Sequence, residues 1–430
     1  MRVVVVGGGA AGFSAAMTAK KTGADEVILL ERADMLGGLA LVAGIGLCGS
    51  GAFIMLEEAR ALGGGSLYDE VFFPIATRRE LSMPGFDRAM LYNVTRLDAR
   101  MQRVLAEVDV DVRFESRVTS VIQRGSYLEA VTLADGQKLA ADCFIDATGS
   151  TAGRRGCTTN GYGCVECILR CPSFGDTVGL IDDEVSTVST RNAWGTEGVL
   201  GTSLLIPTSS LSEDIQNDIR NQGFHYLTVP PGLKPDMKRA KIAGSYGMAI
   251  MSQKNVAENL LLPDVGGYVK STANASPRYA SQFRKLTGME DSMIAQPLLG
   301  QRGHLVYGLG MLPHDQTMRV KGFENLFCAG TKSNHALFIM DVTLSGDLAG
   351  LNAVRQGSGL DLLEIPQNLA IGAFLNYVNN CKNTTTGLSS IPQGDRQTLA
   401  TLGVLRESVK EIKQAINQAG LSNIYKLPVS

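Results

Sequence analysis

The first 31 residues constrain the fold of this chain more than any other segment. From Arg2 they read RVVVVGGGAAGFSAAMTAKKTGADEVILLE: an apolar run, a glycine-rich turn, an alanine-rich stretch and a second apolar run. Short apolar runs like these are typical of strands that are buried on both faces of a parallel sheet. The segment therefore predicts a βαβ unit of the Rossmann type, with a helix from about Ala10 to Thr22.

The turn of this unit carries the spacing G-x-G-x-x-G at Gly7, Gly9 and Gly12. The first glycine permits a tight turn, the second lets a pyrophosphate approach the backbone, and the third allows close packing of helix and strand. The helix N-terminus faces the phosphates, and Glu31 can accept hydrogen bonds from ribose hydroxyls. An acid at this point favours a ribose with free hydroxyls, which predicts FAD or NAD rather than NADP.

Two later segments decide between FAD and NAD. Residues 108–150 read as a strand, a β-meander with turns at RGS and ADG, and a strand that ends in Asp-Ala-Thr-Gly. Residues 321–357 predict a short strand from Leu326 to Ala329, then Gly330 and a helix that begins near Ser345. No second G-x-G-x-x-G follows at a strand–helix junction, so a separate nicotinamide-binding domain is not expected. FAD is therefore the predicted cofactor.

This three-part pattern resembles the two-dinucleotide-binding-domain flavoproteins of the glutathione reductase type. In those proteins the ATG segment returns the chain to the nucleotide, and the last segment closes over the flavin. By that resemblance, a helix N-terminus near Gly346 faces the pyrimidine oxygens of the flavin and stabilises charge there on reduction. The residues expected to bind FAD are Gly7, Gly9, Ala11, Gly12, Glu31, Arg32, Gly38, Val118, Thr148, Gly149, Gly330, Ser345 and Gly346.

The segment after Glu31, GGLALVAGIGLCGSGAFIMLEEARALGG, resembles the GidA/TrmFO flavoproteins, which modify uridines in tRNA. Those proteins carry a cysteine in a glycine- or serine-rich loop, and Cys48 falls at that position. The run LFCAG…SGDLAGLNAVRQG resembles their flavin-closing motif. A long basic tRNA-binding region like that of GidA has no counterpart in these 430 residues. The resemblance therefore implies a GidA-related FAD-dependent oxidoreductase.

Two residues are predicted to be catalytic. A thiol in a glycine loop beside a flavin can act as a nucleophile or redox partner, and the alternative for Cys48 is a small residue chosen for tight packing. Among the four histidines, His335 follows the flavin-closing strand. It is the best candidate for a general acid or base, and a plain packing role is its alternative.

Four cysteines form a second candidate centre. Cys157, Cys164, Cys167 and Cys171 have the spacing C-x6-C-x2-C-x3-C-P, and the last three match the bacterial ferredoxin pattern. One interpretation is a [4Fe–4S] cluster that exchanges electrons with FAD. A second is a redox-active dithiol formed by the C-x2-C pair. Inert thiols or a structural zinc site are the third.

Composition excludes some partners. A net charge of −2 provides no overall attraction to nucleic acid or to an anionic membrane. Residues 35–56 carry no charge, but their six glycines predict a buried loop that runs into a helix rather than a membrane span. Eight cysteines without a secretory signal predict a reducing, cytoplasmic compartment.

The predicted fold class is α/β with three parts. They are a Rossmann-type FAD-binding domain with a β-meander (1–155 and 300–360), an inserted cysteine-containing, mixed α/β substrate lobe (156–299) and a C-terminal helical tail (361–430). In the tail, apolar residues at three- and four-residue spacing from Leu402 to Ile416 predict one amphipathic helix of about six turns. The tail either packs on the FAD-binding domain or forms a homo-oligomer contact.

The expected function is FAD-dependent oxidation or reduction of a small organic substrate. Electrons would be relayed through the cysteine-ligated iron–sulfur cluster, and an electron-carrier protein is an expected partner. One alternative is a folate- and FAD-dependent RNA uridine-modifying enzyme, which the low net charge disfavours. The other alternative is a non-catalytic flavin redox sensor.

Overall fold

A computed structural model shows how the segments of the chain come together. It describes residues 1–38, 40–84, 86–149, 179–181, 184–188, 203–228, 260–270, 296–298, 307–333, 339–381 and 394–429.

The strands and helices are numbered in chain order. The strands are β1 (Arg2–Val6), β2 (Glu26–Leu30), β3 (Ile45–Cys48), β4 (Ala76–Met83), β5 (Phe86–Tyr92), β6 (Asp111–Arg113), β7 (Val118–Arg124), β8 (Tyr127–Leu133), β9 (Lys138–Ala140), β10 (Cys143–Asp146), β11 (Glu184–Val188), β12 (Ser203–Pro207), β13 (Phe224–Leu227), β14 (Leu260–Pro263), β15 (Tyr268–Lys270), β16 (Gln296–Leu298), β17 (Tyr307–Met311) and β18 (Leu326–Cys328). The α-helices are α1 (Ala10–Lys21), α2 (Ala40–Ala43), α3 (Ser50–Ala61), α4 (Leu97–Glu107), α5 (Glu213–Gln222), α6 (Ile339–Gly357), α7 (Ala370–Cys381), α8 (Arg396–Thr401) and α9 (Val409–Gln418). A π-helical turn covers Leu67–Phe72.

A five-stranded parallel sheet in the order β18-β10-β1-β2-β6 forms the centre of the fold. The side chains of β1 alternate between two layers: Val3 and Val5 belong to the core on the helix side, whereas Val4 and Val6 pack with the β-meander. All four side chains are buried, which explains why the strand reads as a continuous apolar run. The predicted Rossmann-type βαβ unit is confirmed.

The β-meander consists of β7, β8 and β9 in antiparallel order, with its turns at the two predicted positions. It covers the face of the central sheet opposite α1 and α6. The ATG segment follows β10, which lies between β1 and β18. The topology therefore brings the three sequence segments of the predicted FAD-binding domain to one sheet edge.

The uncharged segment 35–56 contains a strand that the sequence reading did not anticipate. Strand β3 pairs antiparallel with β5, which in turn pairs with β4. The predicted helix follows directly as α3. None of the helices in the described ranges is long and apolar enough to cross a membrane.

The lobe between residues 184 and 311 contributes short antiparallel pairs: β11 with β17, β12 with β15 and β16, and β13 with β14. Helix α5 begins directly after Ser212 and ends at Gly223, whose φ is +83°. The boundaries predicted for the three parts of the chain remain predictions.

The C-terminal region corrects one prediction. Instead of one helix of about six turns, the structure has α8 and α9 separated by residues 402–408. Gly403 has φ +72°, and the Val404 N–H donates to the Leu399 carbonyl at 3.0 Å. A left-handed glycine with this backward hydrogen bond ends a helix, because it turns the chain away from the helix axis.

Candidate cofactor-binding site

The glycine turn after β1 is shaped by close backbone contacts. A Cβ atom on Gly7, whose φ is +109°, would lie 2.4 Å from the Ala147 carbonyl oxygen, and one on Gly12 would lie 1.8 Å from the Gly7 carbonyl oxygen. Both positions therefore require glycine. A Cβ on Gly9 would meet nothing within 4 Å. The N-terminus of α1 thus faces open space, and the turn fits a pyrophosphate at a helix N-terminus.

Glu31 links the turn to the strand that follows. Its side chain is 9% exposed; Oε2 accepts a hydrogen bond from the Gly8 N–H and Oε1 accepts one from the Ala33 N–H, both at 2.8 Å. A carboxylate has about four acceptor positions, so capacity remains for ribose hydroxyls. Arg32 beside it is exposed.

Gly38 and Val118 approach this turn from two other segments. The Gly37 N–H donates to the Gly8 carbonyl at 2.8 Å, and a Cβ on Gly38 would lie 3.4 Å from the Gly9 Cα. Val118 is buried at the start of β7, two residues after Ser116, whose N–H donates to the Glu31 carbonyl at 2.9 Å. The structure therefore places both predicted residues close to the glycine turn or to Glu31.

The ATG segment lies directly against the same turn. The buried Asp146 carboxylate accepts from the Thr148 N–H at 3.1 Å and from the Thr148 hydroxyl at 2.7 Å. Gly149 follows with φ +78°. The second oxygen of Asp146 accepts from the Leu180 N–H at 3.0 Å. Residues 149 and 180 therefore both lie at the nucleotide-binding edge of the sheet.

The start of α6 corrects a second prediction. The helix begins at Ile339, not near Ser345, and Ser345 and Gly346 lie fully within it. The Ser345 hydroxyl donates to the Val342 carbonyl and accepts from the Gly330 N–H, both at 2.8 Å. A serine with this back-bond is satisfied inside a helix and need not cap one.

Helices α1 and α6 touch through small residues. A Cβ on Gly346 would lie 2.5 Å from the Ala11 carbonyl oxygen, and one on Gly350 would lie 2.4 Å from the Ala15 carbonyl oxygen. A Cβ on Gly330 would lie 2.9 Å from the Ala11 Cβ. These positions hold the two helices close together, so Gly346 and Ala11 are sites of helix packing as well as neighbours of the glycine turn.

Cys48 ends β3 immediately before α3 and is half-buried. A thiolate at Cys48 would lie near two buried tyrosines, Tyr68 and Tyr92. Burial is the main cause that raises the pKa of both tyrosines, and the negative charge of a nearby Cys48 thiolate raises it further. Tyr68 is carried by the π-helical turn, and its hydroxyl donates to the Gly46 carbonyl at 3.0 Å. Sequence reasoning missed both tyrosines, because neither belongs to a motif.

Other predicted residues lie outside the described residues. They are His335 and the four cysteines Cys157, Cys164, Cys167 and Cys171. Within the described ranges, no group of three or more His, Cys, Asp or Glu side chains could hold a metal ion.

Comparison with known proteins agrees with this geometry. Residues 2–152 match the family model of the FAD dependent oxidoreductases. Residues 2–152 are therefore similar to the corresponding part of FAD-dependent oxidoreductases. The match covers the βαβ unit, the β-meander and the ATG segment, so the predicted choice of FAD is confirmed. No curated protein sequence matches this chain.

Solved structures show the fold of the rest of the chain. GidA of Aquifex aeolicus is 16% identical in two crystal forms, with TM-scores of 0.60 and 0.61; the alignments cover 97% of this chain and 76% and 78% of GidA. FqzB is 15% identical with a TM-score of 0.44, and the alignment covers 98% of this chain and 93% of FqzB. The chain therefore has a GidA-like fold.

Proposed function

We propose that the protein uses FAD to oxidise or reduce a small organic substrate bound by the lobe of β11–β17, and that its cysteine segment relays electrons. The observation that carries the proposal is the open space at Gly9, flanked by the α1 N-terminus, Glu31 and the ATG turn. When bound, FAD supplies two-electron chemistry toward organic molecules and one-electron chemistry toward clusters or carrier proteins.

The described residues divide the work of holding the cofactor. The N–H groups at the start of α1 bind the phosphates, and Glu31 accepts from the ribose hydroxyls. The sequence predicted that a helix N-terminus near Gly346 faces the flavin. Since α6 begins at Ile339, we assign that role to the first turn of α6. Asp341 is buried in that turn, so a carboxylate lies at the positive end of the helix dipole.

The position of the cysteine segment supports an electron relay. The chain leaves the sheet edge at Gly149 and returns at Leu180, where its N–H is held by Asp146 at 3.0 Å. Both ends of the intervening segment thus lie beside the nucleotide-binding turn. The ferredoxin-like spacing of its four cysteines favours a [4Fe–4S] cluster, with a redox dithiol as the alternative.

Cys48 and His335 complete the proposal as the residues that act on the substrate. Cys48 would act as a nucleophile or redox partner, and His335 as a general acid or base. An electron-carrier protein is the proposed partner of the cysteine segment. Because thiols stay reduced in a reducing compartment, we propose that the protein lies in the cytoplasm.

Anaerobic purification followed by visible spectroscopy, with iron and acid-labile sulfide assays, tests the proposal. We expect flavin bands, a broad cluster absorbance and about four iron and four sulfide per chain. The double variant Cys164→Ala/Cys167→Ala should lose iron and keep FAD. Cys48→Ala is the matched control, since this cysteine lies outside the set and its loss should leave the iron content unchanged.

The outcomes separate the parts of the proposal. Protein without iron or sulfide would exclude the cluster. A Cys164–Cys167 disulfide that is reduced to two thiols as bound FADH₂ is oxidised to FAD would then identify the dithiol. Protein that binds no FAD would overturn the whole function. Bound FAD that no small-molecule donor or acceptor reduces or oxidises would indicate the redox sensor instead.

A further inference from the structure

The turn Leu36–Gly38 lies against the glycine turn. We infer that Asp98, on a separate helix, is a positioning residue that holds Leu36–Gly38 in this place for FAD binding. The inference rests on the proposed FAD site. No motif includes Asp98, which lies 67 positions after Glu31 in the sequence.

The turn Leu36–Gly38 meets the glycine turn through backbone and side chain. The Gly37 N–H donates to the Gly8 carbonyl at 2.8 Å. The fully buried Leu36 side chain approaches so closely that a Cβ on Gly8 would lie 2.5 Å from it. Gly38 lies against Gly9, at the edge of the open space. Any displacement of Leu36–Gly38 therefore changes the wall of the space that receives the pyrophosphate.

Asp98 binds the first residue of this turn, Leu36. Its Oδ1 accepts a hydrogen bond from the Leu36 N–H at 2.7 Å. A carboxylate acceptor at this distance makes a charge-assisted hydrogen bond, which is stronger than a neutral one. The neighbouring Leu97 packs on the same turn, because a Cβ on Gly37 would lie 3.1 Å from its side chain.

The carboxylate is itself held in place. Asp98 lies in the first turn of α4, where the helix dipole favours a negative charge. One turn later, Gln102 donates from Nε2 to both carboxylate oxygens, at 3.0 and 2.9 Å. The side-chain orientation that meets Leu36 is therefore fixed before any ligand binds.

The consequence is pre-organisation of the adenosine-diphosphate half of the site. Without the Asp98 contact, Gly37 and Gly38, both with positive φ, can leave the glycine turn. The apparent dissociation constant rises as the fraction of molecules with the turn in place falls. FAD and ADP share the affected half, so both should lose affinity by the same factor.

Titration of flavin-free protein with FAD, followed by quenching of flavin fluorescence, tests the role of Asp98. Asp98→Ala should raise the dissociation constant for FAD about tenfold. Asp98→Asn keeps a neutral oxygen acceptor for the Leu36 N–H, but its NH₂ group cannot accept from Gln102. Its dissociation constant for FAD should therefore lie between those of Asp98→Ala and the wild type. Competition by ADP should show the same order of variants. Glu213→Ala is the matched control: this acid lies in the first turn of α5, and its loss should not change FAD binding.

The result that would overturn the inference is wild-type FAD affinity in Asp98→Ala, or equal losses in the alanine and asparagine variants. If Asp98→Ala does not fold, Gln102→Met removes only the residue that orients the carboxylate, and it should raise the FAD dissociation constant about threefold; an unchanged constant would refute the role. Wild-type protein that binds neither FAD nor ADP would instead refute the proposed function.

Discussion

The carboxyl group of Asp347 should lower the stability of this protein as the pH rises, and Asp347→Asn should remove most of that effect. Asp347 lies on α6 with 1% of its surface exposed. It accepts from the Thr18 hydroxyl on α1 at 2.9 Å and from the Gly65 N–H at 3.3 Å. Burial outweighs these hydrogen bonds and the attraction of Lys21, and it raises the pKa of Asp347 from 3.8 to about 7.

The sign and size follow from the two pKa values. The folded state holds the proton up to about pH 7, whereas the unfolded chain releases it near pH 4. The contribution of Asp347 to the free energy of unfolding is therefore complete below about pH 4 and declines as the pH rises through 7. Roughly three pKa units at about 1.36 kcal/mol each amount to a loss of about 4 kcal/mol. About 3 kcal/mol of this loss falls between pH 5 and pH 8.

The asparagine variant isolates this effect because it has the same shape and no charge at any pH. Its amide oxygen can accept from the Thr18 hydroxyl, whereas its NH₂ group cannot accept from the Gly65 N–H. The cost of losing that hydrogen bond is the same at every pH, so it does not affect the pH dependence. The free energy of unfolding of the variant, relative to that of the wild type, should therefore increase by about 3 kcal/mol from pH 5 to pH 8.

Urea unfolding of flavin-free protein at pH 5, 6.5 and 8, followed by circular dichroism, measures the difference. Every other titrating group contributes equally to both proteins and cancels. Asp361→Asn, an exposed carboxyl shortly after α6, is the control and should follow the wild type. Identical pH dependence in Asp347→Asn and the wild type would refute the reasoning, as would a variant that loses stability relative to the wild type as the pH rises.

Two substitutions of glycine should separate FAD binding from stability: one should abolish binding, and the other should lower the free energy of unfolding. Gly9→Val places a side chain in the open space, and the Gly9 φ of −77° suits any residue. FAD binding should therefore be lost with little change in the melting temperature of the flavin-free protein. Retained binding would show that the cofactor lies elsewhere. Gly350→Ala places a methyl group 2.4 Å from the Ala15 carbonyl oxygen. Urea unfolding should show that the free energy of unfolding falls by about 1–3 kcal/mol. An unchanged midpoint would mean that α1 and α6 can separate at no cost.

Much of the fold could be predicted from the sequence where the determining interactions are local. The apolar run of β1, the spacing of Gly7, Gly9 and Gly12, and the polar turns of the β-meander each act over a few residues. The break at Gly403 also carries a local signal, since glycine commonly follows the last turn of a helix. The amphipathic spacing on both sides of Gly403 obscured that signal.

The start of α6 could not be predicted in the same way. Ser345 looks like a capping residue in the sequence, but its hydroxyl meets the Gly330 N–H, which β18 brings close. The partner that satisfies this serine is supplied by another strand. Residue type alone could not distinguish a helix interior from a helix start at this position.

The sequence by itself determined the class of fold and the cofactor, because a strand, a glycine turn, a helix and an acid follow each other within 31 residues. Only the tertiary structure decided which distant groups support that turn. Asp98 reaches Leu36, and Asp146 reaches Leu180, through hydrogen bonds between residues that are 62 and 34 positions apart. Such contacts leave no periodic pattern in the chain, since each depends on where two separate elements are brought together by packing.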